Sequence, residues 1–340
     1  MKYMQTDRSC FVKLGAVSGL LIAAGYMPAQ AFDCAKAASP VEKAICADPK
    51  LKAADDAMSA VYATLRDSLT GADRKGLGAS QRKWVKSRED SCGYQEGADL
   101  GTCILGQTEE RRLLLAAEPE SGPGTGSRMM PVFIQQEADP HHFDVDYTLV
   151  KFVKPASRGE NLFNAEVAKI SKDAPLKRQE EAAPEDMAYA SYMAMTVTYA
   201  SPKFLSAKAE SWENTGGAHG NGGTSGITID LQRGVEMKAG DLFDDKGIAA
   251  LKADCIEQIA EQKKERNDGQ DFNPADDPNY QEQTITEHLQ SLGTWNFWQD
   301  KATVTFNAYA IGSYAEGQYN CDFAMGNMRK LAKPGAILPE

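Results

Sequence analysis

The sequence predicts a multi-domain α+β protein: a small disulfide-stapled all-α N-terminal domain, then an α+β domain with a largely antiparallel sheet. Three observations predict it. Apolar residues recur at helical spacing as far as Leu115. A Gly/Pro/Ser-rich stretch then interrupts the chain. Beyond it the apolar period falls to two, with helical segments between the alternating runs.

Taken in order, the first element is an export signal. Lys2, Arg8 and Lys13 make a basic start, and Leu14 to Met27 is apolar. Ala29-Gln30-Ala31 fits a small-x-small cleavage site, so residues 1–31 read as a signal peptide. The apolar run is shorter than the roughly 20 residues a span requires, so no lasting membrane anchor is expected. Cys10 precedes that run and is not placed for lipid attachment.

Residues 32–117 form the helical domain. Asp48-Pro49 supplies an N-cap followed by Pro at the first helical position. Leu51, Ala54, Met58, Val61, Leu65 and Leu69 then keep one face apolar up to Gly71. A second helix carries Leu77, Trp84 and Val85 and ends at Cys92-Gly93. A third runs from about Leu100 to Leu115.

Charge narrows the partner. The formal net charge is −11, and loss of three bases and one acid with the signal leaves the mature chain near −13. Nucleic acid is disfavoured, because phosphate binding wants a basic face. A basic secreted protein is favoured electrostatically, chiefly through association rate. Charged residues at 25% and hydrophobic residues at 42% are otherwise ordinary for a globular chain.

Of the seven cysteines, Cys10 leaves with the signal and six remain. Cys34, Cys46, Cys92 and Cys103 fall in the helical domain, and Cys255 and Cys321 in the second. An even set segregated by domain reads as disulfides. Four cysteines permit three connectivities. The nested set, Cys46–Cys92 and Cys34–Cys103, is expected, since two antiparallel helices would bring those pairs together.

The helical domain resembles the N-terminal domain of the LprI-type lysozyme-inhibitor family. Phe32-Asp33-Cys34-Ala35, Ser39 through Cys46, Asp48, Leu51, Asp55, Met58 and Tyr62 carry the likeness. So do Gln81-Arg82-Lys83-Trp84-Val85-Lys86-Ser87-Arg88, Cys92, Cys103, Glu110 and Arg111. The resemblance implies a lysozyme partner. Arg82, Trp84, Lys86 and Arg88 are then the candidate partner-binding residues, offering donors to the pair of carboxylates in a lysozyme cleft. The plainer alternative is a solvated helix face around a core Trp84.

Residues 118–131 read as a linker. In the second domain, 132–340, Phe143 to Leu149, Tyr189 to Tyr199, Ile227 to Leu231, Trp295 to Phe297 and Thr303 to Ala310 alternate as strands. Helices are expected near Ile248 to Glu265 and Gln281 to Leu292, and a surface loop over Asn267 to Tyr280.

Trp212 through Asn221 contains Gly216-Gly217-Ala218-His219, followed by Ile229-Asp230-Leu231, Gly234 and Asp241-Leu242-Phe243. With Phe163 to Val167 upstream and Tyr309 and Tyr314 to Gly317 near the end, this resembles the periplasmic domain of RsiV-type anti-sigma factors and PdaC-type deacetylases. The resemblance implies a cell-envelope binding module. His219 and Asn221 become candidate partner contacts on a protruding loop. The alternative is a tight structural turn with His219 bonded to its own backbone.

Other chemistries are weaker. His141, His142, Asp144 and Asp146 are metal-capable types, but a solvated strand start explains them. The glycine loop lacks the Gly-Lys-Ser/Thr ending of a phosphate cradle, so no cofactor is expected. No nucleophile motif occurs, and the cysteines are committed, so a non-enzyme is favoured over an envelope hydrolase. Trp212, Trp295, Trp298 and Tyr314 are candidates for a sugar-stacking platform. The expected function is an exported periplasmic, lysozyme-binding and lysozyme-inhibitor-like protein. The alternative is a peptidoglycan- or glycan-binding envelope module.

Overall fold

The computed structural model describes residues 33–183 and 188–340. The expected signal segment and cleavage site, residues 1–31, lie outside the described residues. Among the described residues, no helix is long and apolar enough to cross a membrane.

Four helices make the first domain: α1 (Pro40–Ala47), α2 (Pro49–Ser68), α3 (Gly71–Cys92) and α4 (Gly97–Ala116). Ser39 and Glu42 close a capping box at the start of α1, and the Asp48 carboxylate accepts from the Lys50 amide at 2.7 Å. Two apolar clusters hold the helices together. One gathers Val41, Ile45, Leu51, Cys92 and Ile104, the other Met58, Leu65, Leu69, Leu77 and Leu115.

A polar brace lies among these helices. The Arg88 guanidinium is buried and donates to Asp55 at 3.0 Å and to Thr108 at 3.1 Å. Arg111 is equally buried and donates to Gln81 at 3.0 Å and Ser80 at 3.1 Å. Trp84 stands near both guanidinium carbons, 4.5 Å and 5.8 Å from its ring centroid. Such stacking suits Arg, whose planar cation is weakly hydrated.

The disulfides are Cys34–Cys46, Cys92–Cys103 and Cys255–Cys321. The nested pairing expected for the helical domain is therefore wrong. The bridges close locally. Cys34 sits in a 3-10 turn folded back on α1, whose last turn holds Cys46. Cys92 ends α3, and the short turn into α4 returns the chain so that Cys103 faces it, with Cα atoms 5.7 Å apart.

The second domain contains two sheets. The larger has strand order β1-β2-β3-β4-β5-β6: β1 (Met129–Gln136), β2 (Asp144–Phe152), β3 (Ala190–Ala200), β4 (Phe204–Asn214), β5 (Asn221–Asp230) and β6 (Val235–Glu236). All its pairs are antiparallel except β2 with β3. The crossover between those two carries α5 (Arg158–Asp173), as a parallel pair requires. Phe163 and Val167 of α5 pack on Val145, Leu149, Met195 and Val197 from one face of the sheet.

The smaller sheet is β7 (Trp295–Phe297), β8 (Lys301–Phe306) and β9 (Tyr319–Ala324). With α6 (Ala239–Leu242), α7 (Asp245–Arg266), α8 (Glu282–Gln290) and α9 (Met325–Leu331) it encloses the other core. The bridge Cys255–Cys321 ties α7 to β9.

The stretch expected as a linker is not loose. Met129 to Pro131 already belong to β1. Ahead of them the Glu120 amide donates to Val197 at 2.8 Å, and the Ala200 amide to the Ser121 carbonyl at 3.2 Å. Gly122, at φ 88°, lies so close to β3 that a Cβ would stand 2.4 Å from the Ala200 oxygen. Only glycine fits there.

Two outcomes follow from this architecture. Peptide mapping of the non-reduced protein should recover Cys34 with Cys46 and Cys92 with Cys103; a Cys46–Cys92 peptide would contradict the fold. Arg88→Ala should cost about 3–5 kcal/mol in urea unfolding, because it strands a buried Asp55 carboxylate. Arg82→Ala, on the exposed face of α3, should stay within about 0.5 kcal/mol.

Candidate functional site

The helical domain rests against the face of the large sheet that α5 leaves open. Lys83 of α3 makes the junction: its ammonium donates to the Gln136 carbonyl at 3.2 Å, to the Val145 carbonyl at 3.1 Å and to the Asp144 carboxylate. Beside this contact α3, α4 and the sheet leave a cleft of about 770 Å³.

Register builds the floor. Gln135, Asp146, Tyr192, Trp212 and Gly222 are successive partners across five strands, so their positions share one face. The next level holds Thr148, Ala194 and Glu210. Tyr192 and Trp212 are cross-strand neighbours with ring centroids 5.5 Å apart and planes 14° from parallel. Each is more than a third exposed, 38% and 37%. The Tyr192 hydroxyl donates to Asp144 at 2.9 Å, and Trp84 and Lys86 of α3 line the opposite wall.

The electrostatics are mixed. Burial pushes the Asp146 carboxyl up, against hydrogen bonding from Gln135 and the charges of Lys83 and Arg111. Burial pulls Arg111 down to about 10 while the Asp146 charge acts the other way. Burial, then the bond to Asp144, raises the Tyr192 phenol, so it stays a neutral donor.

The glycine loop borders this cleft. It joins β4 to β5, and Trp212 packs over Gly220, where a Cβ would stand 2.3 Å from the indole. His219 is exposed; its Nδ1 lies 2.9 Å from the Gly220 carbonyl and its Nε2 3.3 Å from the Tyr309 hydroxyl. That network assigns the proton to Nδ1. The ring stacks on Tyr314 at 3.7 Å, and the Tyr314 hydroxyl donates to the Gly220 carbonyl at 2.7 Å. Asn221 is exposed at the first position of β5.

The sequence-predicted site residues thus divide. Arg82 and Lys86 are exposed and one helical turn apart, and Trp84 is half-buried. Arg88 is withdrawn into the brace with Asp55, which corrects its expected role as a donor to a partner. Trp212 links the two candidate regions. Trp295 is fully buried and Trp298 bonds Glu120 at 2.7 Å, so neither joins Trp212 as a platform. The metal-capable residues are engaged apart: His142 with Asp139 at 2.8 Å, His141 with the Gln179 carbonyl at 3.2 Å, Asp144 with Lys83, and Asp146 with Gln135. Sequence reasoning missed Tyr192 and Lys83; the alternation around Tyr192 marked a strand but not which face would stay open.

Comparison with known proteins finds likenesses in both halves of the chain. Residues 34–115 match the family model described as "Lysozyme inhibitor LprI". Residues 134–222 match "Deacetylase PdaC", and 240–323 match a "Protein of unknown function (DUF3298)". Both resemblances drawn from the motifs are met: the first model spans the helical domain, and the other two fall in the α+β domain. No curated protein matches the chain. Among solved structures, a DUF3298-family protein from Bacteroides fragilis is similar at 18% identity, over 62% of this chain and 94% of that one, with TM-score 0.44. Another from Pseudomonas aeruginosa shows 16%, 64% and 100%, with TM-score 0.40.

The loop gives a direct test. Gly220→Ala should destabilise the chain by about 1–3 kcal/mol in denaturant unfolding, since the indole must move. Gly217→Ala, where a Cβ meets nothing nearer than 3.9 Å, should change little. Equal effects would dismiss the packing of Trp212 on Gly220.

Proposed function

We propose that this protein is an exported cell-envelope binding protein that engages lysozyme and restrains it, and is not an enzyme. The observation that carries the reading is the match of residues 34–115 to the lysozyme-inhibitor family model, four cysteines included. Three disulfides suit an oxidising compartment. The net charge, −11 for the full sequence and near −13 once residues 1–31 are removed, would draw a basic partner.

The contacts would come from exposed polar groups beside the cleft. Arg82 and Lys86 offer donors on one face of α3, and His219 and Asn221 offer the loop between β4 and β5. Lysozyme holds its two catalytic carboxylates in an open cleft, which such donors could enter. The match to a deacetylase family covers only part of the α+β domain, and all six cysteines of the described chain are bridged, so no thiol nucleophile remains there.

In a cell-wall lysis assay, equimolar oxidised protein should slow lysozyme. Arg82→Glu with Lys86→Glu should weaken the complex at least tenfold, because it replaces donors with carboxylates facing carboxylates. Absence of binding to every lysozyme class tried would end this reading.

A further inference from the structure

We propose that the cleft between α3 and the open face of the large sheet binds a saccharide, a short stretch of pyranose-based glycan of the kind found in cell walls. The inference stands apart from the lysozyme reading and survives its failure.

Three features of the cleft point to this chemistry. The first is a pair of exposed aromatic rings, Tyr192 and Trp212, facing Trp84 across the opening. One face of a pyranose presents C–H groups and is apolar, so it packs on such rings. The second is the company the rings keep. Glu210 and Asp90 supply acceptors, while Lys86 and Ser87 supply donors. Hydroxyls radiating from a sugar's rim both donate and accept, and need that mixture. The third is size: about 770 Å³ lies inside the usual 300–1,000 Å³ of small-ligand sites.

The rings are also set before any ligand arrives. Tyr192 is tethered through its hydroxyl to Asp144, which Lys83 holds in turn. Trp212 stacks on Tyr192 and rests on the backbone at Gly220, with 37% of the residue still open to solvent. Aromatic groups held rigid while left open to water lose little freedom on binding. Ala194, small and central on the floor, keeps the space clear.

Other ligand classes fit less well. A phosphorylated ligand would meet Asp90, Asp144, Asp146 and Glu210, whereas Lys83 is spent on Asp144 and Arg111 on Ser80 and Gln81. A purely apolar ligand would strip water from those carboxylates without replacing their hydrogen bonds.

The test titrates the oxidised full chain with triacetylchitotriose and with cellotriose, following tryptophan fluorescence and calorimetric heat. At least one should saturate, and purified peptidoglycan should retain the protein. Trp212→Ala should lower affinity at least tenfold. Ala194→Trp, which fills the floor and removes no contact, should do the same while leaving the melting temperature unchanged. Tyr94→Ala, at an exposed ring outside the cleft, should bind normally. The proposal is overturned if neither trisaccharide saturates and peptidoglycan is not retained. Undiminished affinity in both cleft variants, or competition by inorganic phosphate at the same site, would also overturn it.

Discussion

The seating of Lys83 on the large sheet is the contact on which the rest of the molecule's arrangement depends. One ammonium meets two carbonyls and the Asp144 carboxylate at the end of β1 and the start of β2. It brings a helix rich in polar groups against a sheet face that would otherwise have to be apolar or wholly wet. A buried or half-buried cation is tolerable only with such full coordination. Because Asp144 also holds the Tyr192 hydroxyl, the same junction fixes the floor of the cleft beside it. Domain packing and site geometry are one network.

Within the helical domain the Arg-rich motif has a structural task. From sequence, Gln81 through Arg88 looks like a charged surface. In the fold, Arg88 and Arg111 turn inward, pair with Asp55, Thr108, Ser80 and Gln81, and flank Trp84. So small a domain has limited apolar surface to bury, and charge-assisted hydrogen bonds supply part of the difference. Of the basic residues in that run, Arg82 and Lys86 are left for a partner.

Local signals were legible and long-range ones were not. Asp48-Pro49 and Gly71 announced helix boundaries, because caps and breakers act within a few residues. The periods around Val145, Met195 and Val304 announced strands. β4 was obscured by its polar end, Glu210 to Asn214, which borders the open cleft and carries no hydrophobic alternation. β1 was hidden by Pro131 and by the glycines ahead of it. Disulfide pairing failed for a different reason: spacing cannot reveal that each helical turn closes on its own cysteine. The two halves of the candidate site, Trp84 with Lys86 and Trp212 with His219, were each found, but their adjacency depends on strand register, which no local pattern encodes.

The connector from Glu118 to Arg128 has a consequence for how this protein can be remodelled. Its backbone continues the hydrogen bonding of β3, and Glu120 and Ser121 also hold Trp298 and the Gln299 amide beside the small sheet. A segment stitched in this way is a seam. Shuffling the helical unit onto another protein by cutting there would leave unmatched donors on both sheets.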